Sequence, residues 1–279
     1  MNLSQCCRLF GISRQGIYQA EKRKIKRESE LAQVRCYIDK IRRDMPKLGT
    51  RKLYYMLQQN AKHLRIKIGR DALFRYMRDA DLIVKKKRKY IQTTNSKHWL
   101  RKHPNLLKDK TIKRAEEVFV SDITYVKSNE GDHYLSLVTD ASSRKIIGYH
   151  VSNDMNACSV AKALEMAIRN RQTKRSLIHH SDRGLQYCSK LYQEILKENN
   201  ITPSMTDGYD CYQNALAERI NGILKNEFLL EHCATFKDLQ RATEESVEIY
   251  NTKRPHLSLK MKTPNSKHKE DVYTMADIL

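Results

Sequence analysis

No two of the seven cysteines, at positions 6, 7, 36, 158, 188, 211 and 233, form a C-x-x-C pair. Cysteine and histidine together make no zinc-finger spacing, which excludes a zinc-built module of that kind. An odd, scattered set of thiols also excludes a disulfide framework and points to reduced cysteines in a cytosolic protein. No apolar stretch approaches the ~20 residues of a membrane span, and none follows a basic start in the manner of a signal peptide. Solenoids and propellers are excluded by the lack of any internal repeat. The expectation is a soluble, intracellular protein with no membrane partner.

Acidic residues are scarce in one part of the chain only. The 279 residues carry a formal charge of +21 and are 40% hydrophobic, enough for a substantial core in one large domain, or in a medium domain with a small one. Residues 1–115 hold 32 Lys and Arg against 9 Asp and Glu, a net of +23, whereas residues 116–279 hold 21 against 23, a net of −2. The excess positive charge therefore belongs to the first two-fifths of the chain, and a polyanion is the partner it suits.

Within that basic part, residues 3–24 suggest two short helices around a turn. Leu3, Cys6, Cys7 and Phe10 give the first an apolar stripe, Gly11 breaks it, and Ser13 is placed to cap Arg14–Lys24. This is a small helix-turn-helix signature, equally readable as a helical hairpin without DNA contact, and the surrounding charge favours DNA. Residues 29–82 read as further helices, with Leu31, Val34, Ile38 and Ile41 at helical spacing, then Leu53, Met56 and Leu57, then a helix capped by Asp71 with Leu73, Phe74 and Met77 inward. Arg14, Arg51, Lys52, Arg70 and Arg75 are the candidates for phosphate contact here. The run Lys85-Lys86-Lys87-Arg88-Lys89 opens a polar stretch read as a linker, or as an arm that tracks DNA by displacing counterions. The expected organisation is a helix-turn-helix-like segment at 1–27, a helical DNA-binding module at 28–84, a basic linker at 85–112 and a catalytic core with a helical extension at 113–279.

The pattern changes near residue 116. Val118–Val126, His133–Thr139 and Lys145–Val151 read as three consecutive strands with short turns, followed by a helix over 156–171, a strand over Ser176–His180, a helix over Lys190–Asn199 and a strand over Ile201–Met205. Helices over about 212–230 and 236–250 complete the series. The fold class is α/β: a mixed five-stranded sheet with helices on both faces, in the order of a ribonuclease-H-like core, preceded by small basic all-α modules.

Three acids in this part are oddly placed. Asp122 interrupts the apolar run Val118–Val126, Asp182 follows the fourth strand in Leu177-Ile178-His179-His180-Ser181-Asp182-Arg183-Gly184, and Glu218 lies on the late helix. An acid inside a core-forming strand needs a partner, although each acid taken singly also has a structural reading. Neighbouring strands would let Asp122 and Asp182 meet. On the helix, Asn214, Glu218, Asn221 and Lys225 share one face, and Leu216, Ile220, Ile223, Leu224 and Phe228 the other. Burying the apolar face would turn Glu218 towards the two Asp residues. Three carboxylates so gathered suit two Mg2+ ions, with Mn2+ able to substitute, roughly 3.5–4 Å apart. His180, on the strand face of Asp182, is read as a hydrogen-bond partner behind the site, and His179 as packing. Asp140 is read as the cap of its Ala-Ser-Ser turn.

The segments Ser121-Asp122-Ile123-Thr124-Tyr125, His180-Ser181-Asp182-Arg183-Gly184-Leu185-Gln186-Tyr187 and Asn214-Ala215-Leu216-Ala217-Glu218 resemble the three catalytic segments of insertion-sequence transposases of the retroviral-integrase (DDE) type, the product of their second reading frame, OrfB. Thirty-five residues separate Asp182 from Glu218, the spacing of that family. Tyr250-Asn251-Thr252-Lys253-Arg254-Pro255-His256 with Thr263-Pro264 resembles its C-terminal segment, and Gly11-Ile12-Ser13 and Leu48-Gly49-Thr50-Arg51 its N-terminal helical modules. Gln213, Arg219 and the Phe119-Val120 pair depart from the family's usual residues.

The resemblance implies an Mg2+-dependent enzyme that nicks the ends of an insertion element and transfers the exposed 3′-hydroxyl into DNA, without a covalent protein intermediate. Asp122, Asp182 and Glu218 would be its catalytic, metal-binding acids, and Asn214, Asn221 and Lys225 candidates for the surroundings of the site and for holding the DNA end. It also implies double-stranded DNA and further copies of the chain as partners, the upstream reading-frame product as a third, and a place at the nucleoid. The alternatives are a nuclease or phage-type recombinase of the same fold, and a decayed transposase acting only as a DNA-binding repressor.

Overall fold

Alternation of buried side chains along the central strand organises the core. The computed structural model describes residues 2–60, 68–85, 100–108, 110–207, 214–228, 230 and 233–273. Five strands, β1 (Val118–Ser128), β2 (Gly131–Asp140), β3 (Ile146–Ser152), β4 (Leu177–Ser181) and β5 (Ile201–Met205), form one sheet in the order β3-β2-β1-β4-β5. β1, β2 and β3 pair antiparallel; β1, β4 and β5 pair parallel. This mixed sheet is the ribonuclease-H-like order.

Period-two alternation sends successive side chains to opposite faces. On one face Phe119 and Ile123 join the main core with Val138, Ile147, Leu177 and Ile201. The helices α5 (Ala157–Arg169), α6 (Leu185–Cys188) and α7 (Lys190–Glu198) supply its other side through Val160, Leu164, Tyr187, Tyr192 and Leu196. On the opposite face Val118 and Val120 meet Ala217 of α8 (Ala215–Glu227). α9 (Phe236–Thr252) and α10 (Pro264–Val272) follow. α5 rests almost directly on β3, because a Cβ added at Gly148 would overlap the carbonyl of Ala163.

The expected linker is only partly a linker. Leu100 packs against the main core, and Leu107 and Ile112 against the smaller cluster on the other face. Met205 N–H donates to Pro104 O at 3.3 Å, and Leu106 N–H to Ser204 Oγ at 2.9 Å, so this segment covers the free edge of β5. The burial of three apolar side chains outweighs the polar character around them. Lys86, Lys87, Arg88 and Lys89 lie outside the described residues.

Residues 1–44 and 48–84 form a second compact unit. It contains α1 (Leu3–Leu9), α2 (Arg14–Asp44), α3 (Thr50–Gln59) and α4 (Arg70–Asp79). Gly11, at φ +62°, ends α1, and Ser13 Oγ accepts Gly16 N–H at 2.9 Å to cap α2. The expected break near residues 24–29 is absent: α2 is one helix of 31 residues, running through the expected boundary at 27. No Gly or Pro interrupts its Lys-, Arg- and Glu-rich middle, and those residues are good helix formers. Two smaller expectations also change. Of the α1 stripe only Cys7 is buried, with Phe10 71% exposed, and α4 is capped at Gly69, leaving Asp71 in its first turn paired with Arg70.

The unit's core is Val34, Ile38, Ile41, Leu53, Leu57, Leu73 and Met77. Arg42 Nη2 bonds Leu82 O at 2.8 Å, and Tyr37 Oη bonds Met56 O at 3.1 Å, tying α2 to the end of the unit and to α3. Among the described residues no helix is long and apolar enough to cross a membrane.

Candidate active site

Strand register brings the first two acids together. Val118, Phe119 and Val120 lie opposite Ile178, His179 and His180; continued by two residues, this parallel register sets Asp122 level with Asp182. Asp122 points to the α8 face of the sheet, together with Val118, Val120 and Thr124. Its carboxyl is half-buried and its pKa is pushed up to about 7, first by burial, then by the charge of Asp182, with a further push from Glu218. A carboxylate that feels two others in this way is short of positive charge. Asp182 Oδ1 accepts Gly184 N–H at 2.9 Å, which holds the turn after β4.

Helix α8 is laid along β1 by the polar side chains that share its Glu218 face. Asn214 Nδ2 donates to Ser121 O at 3.1 Å, Asn221 Nδ2 to Asp122 Oδ2 at 2.8 Å, and Lys225 Nζ approaches Thr124 Oγ1 at 3.5 Å. Asn214 and Asn221 are 5% and 4% exposed, so they belong to the helix–sheet interface. The reason is their spacing: at i, i+7 and i+11 they form a stripe beside Ala217, Ile220 and Leu224, and that stripe meets the polar atoms of β1. Glu218 is the exposed member of the set. Burial of its carboxyl and then the charge of Asp182 raise its pKa, which places it within the field of the strand acids.

The donor set is hard carboxylate oxygen, the kind that suits a divalent cation. Among the described residues no three His, Cys, Asp or Glu side chains close on a single ion position. Asp122 feels the charges of Asp182 and Glu218, and Glu218 feels that of Asp182.

The two histidines before Asp182 are both internal. His179 Nε2 is shared by Ser121 Oγ at 2.7 Å and Tyr192 Oη at 2.9 Å, and burial, then the neighbouring His180, lowers its pKa to about 3, leaving it neutral. Hydrogen bonding in a network, rather than packing alone, is therefore its role. His180 is fully buried, with Nδ1 2.9 Å from Ser204 Oγ, a bond that links β4 to β5.

Asp140 caps its turn as expected: Oδ1 accepts Ser143 N–H and Oγ–H at 2.7 Å each, and Oδ2 accepts Glu116 N–H at 2.6 Å. Glu116 was not foreseen. It adopts φ +61°, is fully buried, and accepts Gln172 N–H at 2.8 Å and Thr173 N–H at 2.6 Å, while His268 of α10 lies 3.5 Å away. These hydrogen bonds outweigh its burial and hold its pKa down at about 2.

In the helical unit Arg14, Arg51, Arg70 and Arg75 are exposed, as is Lys85 in the other unit. Lys52 is not: its side chain is 9% exposed on the inward side of α3, next to Leu53, which removes it from the phosphate-contact candidates.

The Integrase core domain family matches residues 113–211, and a second Integrase core domain family matches residues 199–264. The chain is 37% identical over 259 residues to the insertion element IS600 uncharacterized 31 kDa protein of Shigella sonnei, covering 91% of this chain and 93% of that protein. It is 32% identical over 248 residues to transposase InsF for insertion sequence IS3A of Escherichia coli K12, covering 87% of this chain and 84% of that one. A chain of the simian T-cell lymphotropic virus intasome shares the fold at a TM-score of 0.50 and 14% identity, covering 88% of this chain and 75% of that chain. With relatives matched along nine-tenths of its length and an integrase core around the three acids, the chain belongs to the insertion-sequence transposases, DDE polynucleotidyl transferases.

Proposed function

We propose that the chain nicks the ends of an insertion element and joins the exposed 3′-hydroxyl to target DNA, using Mg2+ held by Asp122, Asp182 and Glu218. The observation that carries this reading is geometric: the parallel register of β1 and β4 sets Asp122 level with Asp182, and Asn221, on the helix that carries Glu218, bonds Asp122 Oδ2 at 2.8 Å. Bound there, the cation would activate the attacking water or hydroxyl and neutralise charge on the leaving oxygen; two ions are the number that such chemistry uses, and Mn2+ is an expected substitute. Asn221 donates to Asp122 Oδ2 and orients the carboxyl that would hold the cation. Lys225, at the same helix–strand junction, offers a positive charge to a phosphate of the DNA end. Asn214 holds the start of α8 against Ser121.

The helical unit would grip DNA through Arg14, Arg51, Arg70 and Arg75, with Lys85 and the basic run that follows it contributing further phosphate contacts. Such contacts position the protein without specifying sequence. Bringing two element ends together calls for at least two copies of the chain, and the upstream reading-frame product is a further candidate partner, the chain itself being the OrfB product.

A labelled duplex carrying the element's terminal inverted repeat, incubated with Mg2+ and plasmid, tests the reading. Nicked ends together with joined products support strand transfer; nicks without joined products would make the protein a nuclease, and binding without nicks a repressor.

A further inference from the structure

The segment Tyr250–His256 marks the family in the sequence yet contains none of the three acids. Each of its polar side chains named here is spent on holding elements together. Asn251 Oδ1 accepts Ile146 N–H at 3.0 Å and its Nδ2 donates to Ile146 O at 2.9 Å, which fixes the end of α9 to β3. Tyr250 Oη donates to Arg144 O at 2.9 Å. From this anchored place Arg254 reaches α8: Nε and Nη2 bond the two carboxylate oxygens of Glu227 at 2.8 Å each. Its Nη1 lies 2.7 Å from His256 Nε2, and the guanidinium sits 5.7 Å from the centre of the Tyr250 ring.

Arg254 is 1% exposed, the largest fully buried side chain among the described residues. A buried ion pair adds little stability over an apolar one and is best accounted for by the geometry it enforces. Glu227 is also the last residue of α8, where the helix dipole disfavours an acid. The pair therefore makes local sense only as a link. It fixes the C-terminal end of the helix whose other end is fixed by Asn214, and Glu218 lies between the two, about 13 Å from Glu227.

We propose that Arg254 is a positioning residue for Glu218: through Glu227 it fixes the rotation of α8 on the sheet, and so the place of the third metal-binding acid. This rests on the reading of Glu218 as a metal ligand. The arrangement is bidentate and planar, so lysine cannot reproduce it although it keeps the charge.

The test uses the full chain, with Arg254→Lys and Glu227→Gln, and Glu227→Gln guards against a failure of the Arg254 variant to fold. In the metal-free protein, hydrogen exchange of the Ala215–Glu227 amides should quicken about tenfold in both variants, with the β1 and β2 amides unchanged. The Mg2+ concentration for half-maximal nicking should rise about tenfold, with a smaller rise for Arg254→Lys than for Arg254→Met. Exchange in α8 at the wild-type rate in both Arg254→Lys and Glu227→Gln, or a rise spread evenly over the sheet, would overturn the proposal. Asp122→Asn serves as the control: if that variant nicks like wild type, the metal reading itself fails and the proposal with it, whereas a dead Asp122→Asn beside unaltered α8 exchange refutes the role of Arg254 alone.

Discussion

Asn221 Nδ2 lies 2.8 Å from Asp122 Oδ2, and this hydrogen bond joins the helix carrying Glu218 to the strand carrying the first acid. It makes Asn221 a support of the site's geometry. Asn221→Ala should lower nicking about 10- to 100-fold, the usual cost of losing the partner of a metal-binding side chain, while DNA binding in a gel shift stays within about twofold. Unchanged nicking would show that the bond is incidental.

The elevated pKa of Asp122 has two consequences in solution. The folded protein holds this proton up to about pH 7, whereas the unfolded chain releases it near the ordinary value of about 4. Without metal, this group's contribution to stability is fully present below about pH 4 and is lost as pH rises through about 7, a change on the order of 1–4 kcal/mol. Urea titrations in EDTA should therefore show a wild-type stability decline between about pH 4 and 7 that Asp122→Asn lacks. Because the cation must displace the proton, Mg2+ affinity should rise over the same range. A flat profile identical in the two proteins contradicts the assignment.

Glu116 behaves in the opposite sense. Its pKa is held down at about 2 by hydrogen bonds from His268, Thr173 and Gln172 that outweigh its burial. Its stabilising contribution is present above about pH 4.5 and is lost as pH falls through about 2. Glu116→Ala leaves buried amides and His268 without their partner, and should cost about 3–5 kcal/mol at pH 7, read as a lowered urea midpoint. A loss under about 1 kcal/mol would mean that water replaces the carboxylate.

The segment before the core should act as part of it. A fragment of residues 100–279 should melt several degrees above one of residues 113–279, because the shorter fragment loses Leu100, Leu107 and Ile112 from two apolar clusters and the Leu106 bond to Ser204; that is on the order of 2–4 kcal/mol. Equal melting temperatures would return these residues to the role of a tether.

At the edge of the sheet, Gly148→Ala should destabilise by about 1–3 kcal/mol or more, since α5 must move off β3 to admit the methyl group. A melting temperature within a degree of wild type would show that the helix shifts without cost.

Much of the catalytic core was legible because its signals are local. Five runs of β-branched and apolar residues became five strands within a few residues of their expected limits, and Asp122 drew attention as a charge inside one of them. What was missed depends on neighbours distant in sequence. Asn214 and Asn221 were legible as neighbours of the site, but not the partners that they hold, the carbonyl of Ser121 and the carboxylate of Asp122. Glu116 looks like a surface acid until its backbone folds to φ +61° and two amides turn onto it. The charge near residue 85 masked the three apolar side chains that bind residues 100–112 to the core, and the evenly polar middle of α2 gave no apolar rhythm to show that one helix runs through it. Arg254 stood in a recognisable segment, but its partner Glu227 is 27 residues away.

The central claim is that three acids on two strands and one helix act as a single site. The most direct measurement is nicking and joining of a terminal-repeat duplex in Mg2+ by Asp122→Asn, Asp182→Asn and Glu218→Gln, each shown to bind the duplex and to melt cooperatively. Each variant should lose both activities by about 10^3-fold or more, the scale on which positioned metal-ion and electrostatic catalysis is lost. Wild-type nicking or joining by any one of the three would remove that residue from the site and contradict the account.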